Sequence, residues 1–164
     1  MTEPRENQQP PSRWQVRWKV LLGALAGLGA LALFLVGGLT CAYELLGEER
    51  TFLPETFQVT GAWLTVHVAA ELMGGGIAGT VAFLVGGKRA VFAVALLLFF
   101  LGAMTATQKM QEGNYGRPRG QEPTDGQSAQ TDAISPGWKL VLSPLCLGGM
   151  ALVAGGILGR RQPD

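Results

Sequence analysis

A chain of 164 residues with 48% hydrophobic residues, only 15% charged ones and 24 glycines departs from soluble domains, in which about a quarter of residues carry charge. The net formal charge of +1 says nothing about partners until the distribution of charge is known, and two cysteines make no metal-ligand spacing. Nucleophile elbows, zinc-protease helices and phosphate loops are all missing from the sequence, so no enzymatic activity is expected.

The first 19 residues, "MTEPRENQQPPSRWQVRWK", form a Pro- and Gln-rich polar tail, too poor in apolar groups to fold alone. Trp14 and Trp18 stand four apart among Arg13, Arg17 and Lys19. At helical spacing they read as an interfacial anchor, with rings at headgroup depth and cations toward anionic lipid, rather than as a nucleic-acid contact. No nucleic-acid partner is expected.

The apolar run at 20–46 follows. It is too long for a signal-peptide core and no small-residue cleavage site follows it, while the "GLTC" ending at Cys41 has leucine misplaced for a lipoprotein box. Three further runs, 61–85, 90–108 and 140–159, have the length that ~30 Å of hydrocarbon requires at 1.5 Å per residue. Backbone groups in lipid must bond within their own segment, and the period-2 alternation of a barrel is absent. The expected fold is therefore all-α: a four-helix transmembrane bundle, with the membrane domain covering 20–161 and a short tail at 162–164.

Charge sorts by side. Arg5, Arg13, Arg17, Lys19, Lys88, Arg89, Arg160 and Arg161 fall on the side of the N-terminus, and Arg50, Lys109, Arg117, Arg119 and Lys139 on the other. The short Lys88–Arg89 turn and the terminal Arg160-Arg161 obey the positive-inside rule with both termini cytoplasmic. The expected location is the inner membrane of a bacterium.

The connection at 47–60 contains Pro54 and three large apolar groups, Phe52, Leu53 and Phe57, expected to lie on the membrane surface. The segment 109–136 is rich in Gly, Gln, Pro and Ser, and should be a mobile outer loop. Pro144, inside the last run, removes a backbone donor and should kink that helix near Leu140, with Ser143 reusing a freed carbonyl.

Small residues recur four apart: Gly23 and Gly27, Gly75 and Gly79 with Gly74 beside them, Gly155 and Gly159. Between helices in lipid, close backbone approach replaces the hydrophobic drive, so these positions should be packing seams within the chain or between copies.

One stretch mixes this pattern with ionisable groups: "WLTVHVAAELMGGGIAG", residues 63–79, holds the sole histidine of the chain, His67, and Glu71 one turn later. At 100° per residue the pair shares a face with Gly74, Gly75 and Ala78, the face expected to look inward. An ionised carboxylate there costs at least about 2.5 kcal/mol, so Glu71 should be protonated, paired with His67, or bonded to a neighbouring helix. Glu44, near the outer end of the first span, would complete a Glu44/His67/Glu71 cluster. Such a cluster serves either as an interhelical clamp or as a proton or cation relay. One histidine and two carboxylates have the chemistry of a metal site, but a bis-histidine haem is impossible within one chain, and no cofactor or metal is expected.

The run from His67 to Ala82, the Lys-containing turn and the Gly-Arg ending resemble small uncharacterised four-helix membrane proteins of bacteria, over about residues 61–161. The resemblance implies an integral membrane fold and brings no activity with it. The lipid bilayer is the one partner implied throughout, with other membrane subunits or a second copy as candidates for the small-residue seams.

Overall fold

The computed structural model describes residues 12–111 and 133–160. These are helical almost throughout: α1 (Arg13–Leu46), the single turn α2 (Glu48–Thr51), α3 (Gly61–Gln111) and α4 (Gly137–Arg160). Among the described residues no strand occurs, only two isolated bridges, Phe52 with Val59 and Gln58 with Ile134. Three helices, α1, α3 and α4, are long and apolar enough to cross a membrane.

α1 begins seven residues before the expected span. Ser12 accepts from the Gln15 backbone N–H at 3.3 Å while the Gln15 side chain accepts from the Ser12 N–H at 3.2 Å, a reciprocal capping box that starts the helix before Trp14. Arg13 to Lys19 therefore ride on the helix rather than in a tail, and residues 1–11 lie outside the described ones.

α3 joins the two expected spans. At about 1.5 Å per residue its 51 residues would reach more than twice the hydrocarbon thickness, but Gly87 departs from helical geometry with φ 71° and ψ −167°. A positive φ costs glycine nothing and any other residue a steric clash. The arms on either side of Gly87 lie against the same neighbours: a methyl on Gly27 would meet both the Ala78 carbonyl at 2.7 Å and Val94 at 3.3 Å. Likewise α4 meets the first arm at Gly75 and Gly79, and the second at Phe99 and Gly102. The chain thus reverses at Gly87, where a four-residue turn was expected.

The interior is built of small groups. Ala78, Ala82, Ala90, Val94 and Ala151 are wholly buried, whereas Leu33, Leu84, Phe92, Leu96 and Phe100 point outward, Leu33 at 80% exposure. Water would drive the large groups inward; hydrocarbon does not, and small residues inside let the backbones touch. The named glycines sit at these contacts. A methyl on Gly23 would lie 2.8 Å from Gly86 and Ala90, on Gly74 2.7 Å from Leu31, on Gly75 2.5 Å from the Leu147 carbonyl, and on Gly155 2.5 Å from Val91. Gly79 is closed off by the Ala151 backbone and Gly159 by the Lys88 side chain.

A second core caps one end. Leu39, Tyr43, Phe52, Val59 and Trp63 are buried together, with Trp63 at 1% and Phe52 at 2% exposure. The expectation that Phe52 and Phe57 rest on a membrane surface is thereby corrected: Phe52 turns inward, and of the three only Leu53 is exposed. The fold-back is closed by hydrogen bonds from Leu53 N–H to Gln58 C=O (2.8 Å) and from Thr60 N–H to Thr51 C=O (2.9 Å). At its tip Pro54 precedes Glu55 at φ 60°, the positive φ that a type II turn requires in that place. Ile134 then lies along this connection, its N–H bonded to Phe57 C=O at 2.9 Å. The bulk of the expected mobile loop, 112–132, falls outside the described residues.

Candidate functional site

Directly beneath the aromatic cap, the first arm of α3 carries His67 and Glu71 one turn apart, so both side chains fall on the same strip of helix. The Trp63 ring stands edge-on to His67 at 5.9 Å and to Tyr43 at 6.2 Å, joining the cap to this strip. Facing it is the first turn and a half of α4, with Lys139 and Ser143 again four apart. The contact of Gly75 with Leu147 sets this register, because it brings the preceding turn of each helix to the same level.

Three side chains converge on one oxygen of the Glu71 carboxylate. Ser143 Oγ donates to Glu71 Oε1 at 2.6 Å, Lys139 Nζ lies 3.2 Å from the same oxygen, and His67 Nδ1 lies 3.3 Å from it. Lys139 Nζ is also 3.0 Å from His67 Nδ1. An ammonium has protons for both acceptors; when it donates to Nδ1, the imidazole is neutral with its hydrogen on Nε2. One positive and one negative charge then cancel within a buried site, Glu71 being 4% and Lys139 6% exposed. Charge cancellation of this kind is what a low-dielectric interior requires. The other carboxylate oxygen, Oε2, is buried without a hydrogen-bond partner among the described residues, as is Trp63 Nε1.

A cavity of about 320 Å³ opens beside the cluster, lined by His67, Glu71, Lys139 and Ser143 on one side and by Thr105 and Lys109 on another, with leucines completing the wall.

His67 and Glu71 thus meet, while Glu44 does not join them: it is exposed on α1, one residue beyond the buried Tyr43. The expected three-membered cluster is corrected to His67, Glu71, Lys139 and Ser143. Ser143 does not serve the backbone near Pro144 but the Glu71 carboxylate. Pro144 is buried inside an unbroken α4, its ring against the position where Gly102 has no side chain, with 2.6 Å between Pro144 Cβ and a methyl placed there. The fourth apolar run begins after Lys139 and so leaves it on the outer side, between the loop and the span; Pro136-Gly137 is the signal that the helix starts earlier. Trp14 and Trp18 are exposed and stacked edge to face, their centroids 5.6 Å apart. Cys41 and Cys146 are both free.

No protein-family model matches the sequence, no curated protein matches it, and no solved structure matches its fold.

Proposed function

We propose that the chain is a four-crossing integral protein of the bacterial inner membrane, with both termini cytoplasmic, acting as a structural or accessory subunit of a membrane assembly rather than as an enzyme. The supporting pattern is the outward-facing Leu and Phe surface around a small-residue interior. Orientation rests on charge. The end that holds Gly23, Gly86 and Gly159 gathers Arg13, Arg17, Lys19, Lys88, Arg89 and Arg160, and every described glutamate lies toward the other end.

The observation that carries the structural role is the ion pair between Glu71 and Lys139. It neutralises the acid whose isolation would otherwise argue for transport, and it ties α3 to α4. Affinity capture of the intact chain from native membrane, followed by mass spectrometry, tests the reading. A stoichiometric membrane companion is expected, and its repeated absence would remove the accessory role.

A second reading, a proton or cation relay through Glu71 and His67, is favoured by one feature: Glu71 Oε2 has no hydrogen-bond partner among the described residues while the residue borders a cavity. Proton flux into proteoliposomes separates the two. A relay loses its flux with Glu71→Gln, whereas the structural subunit carries none in either form.

A further inference from the structure

The opposite end of the molecule holds a second cavity, of about 210 Å³, between the second arm of α3 and the last turns of α4. Its wall is apolar, made by Val91, Phe92 and Leu152, and its floor is glycine: Gly155, Gly156 and Gly159. Two cations, Lys88 and Arg160, stand at its mouth. The Lys88 stem crosses Gly159, where a methyl would meet its Cε at 2.8 Å, so the side chain lies over α4, one residue before Arg160. Both side chains are exposed, and neither pairs with a carboxylate among the described residues.

We infer that this groove binds one anionic phospholipid, with the phosphate between Lys88 and Arg160 and an acyl chain along Gly156 and Phe92. The groove needs an occupant with a negative group at one end and a hydrocarbon body, and a lipid of the adjacent leaflet has both. Two cations that pair with no acid among the described residues supply charge complementarity at headgroup depth. Val91 fills the space at Gly155 and the Lys88 stem that at Gly159, but the missing side chain at Gly156 leaves a slot between them where a flexible chain gains dispersion contacts that lipid packed against a full helix surface would lack. A soluble phosphate would occupy the cations and leave the apolar slot empty.

The inference rests on the membrane reading above, and one experiment tells their failures apart. The protein is assembled into nanodiscs of mixed phosphatidylglycerol and phosphatidylcholine, released, and weighed by native mass spectrometry. A chain that does not enter nanodiscs refutes the membrane reading; one that enters and retains both lipids equally refutes only the site. Wild type is expected to retain phosphatidylglycerol selectively, and Lys88→Gln with Arg160→Gln to lower that preference roughly 30-fold, the value of two surface cations. Gly156→Leu tests the slot, since a Cβ there meets no protein atom within 4 Å and the exposed position leaves the helix contacts in place. It should abolish lipid retention with the charges unchanged. Arg50→Gln, at the other end, should leave the preference as it was. Selectivity surviving the double substitution, or retention surviving Gly156→Leu, would overturn the proposal.

Discussion

The two ends of this molecule are held by different physics. At the Glu71 end, large aromatic rings and an ion pair close the structure: Trp63 packs edge to face with Tyr43, Phe52 packs tilted against Tyr43, and Lys139 reaches Glu71 from another helix. At the Gly87 end no polar side-chain bond joins the helices among the described residues, and glycine against alanine brings backbones into contact. Directional bonds specify which residues meet but tolerate small shifts of the helices; backbone contact tolerates none. The Glu71 end therefore fixes partners, and the glycine seam fixes distance.

Substitutions sharpen the contrast. The largest effect is expected at the seam: Gly79→Leu drives a side chain into the Ala151 backbone, which cannot move aside, and should leave no monodisperse folded protein on size exclusion in detergent. Lys139→Met strands a buried carboxylate and should cost about 3–5 kcal/mol in detergent unfolding, whereas Glu71→Leu combined with Lys139→Met should recover most of that loss. Additive losses in the double variant would show that the pair is not a unit. Phe52→Ala opens the cap and should cost about 3 kcal/mol by the same measurement, without disturbing oligomeric state. Smallest is Glu44→Gln, expected within about 0.5 kcal/mol of wild type because the side chain is exposed and apart from the cluster. A large effect at Glu44 would return it to the site.

The helices and their seams were legible in the sequence because each depends on a local property: run length for the helices, four-residue spacing of small groups for the seams. His67 with Glu71 was legible for the same reason, being four apart on one helix. Lys139 and Ser143 were not. They lie 72 residues from the groups they meet, and only the register fixed by Gly75 against Leu147 brings the levels together. Hydropathy also misled, since a lysine ends an apolar run by its charge even when burial and pairing keep it inside. Phe52 was misplaced by the opposite error: a short polar connection hides the fact that its backbone pairs with itself across Pro54 and Glu55 and turns the ring under the cap.

The reversal at Gly87 has a bearing on how the protein is made. A single residue separates the two arms of α3, so, if both cross the bilayer as proposed, there is no tether with which one arm could settle while the other waited on the ribosome's side. In the topology proposed above, the pair is handed over as one hairpin, and Lys88 and Arg89, at its bend, stay behind on the side where synthesis occurs.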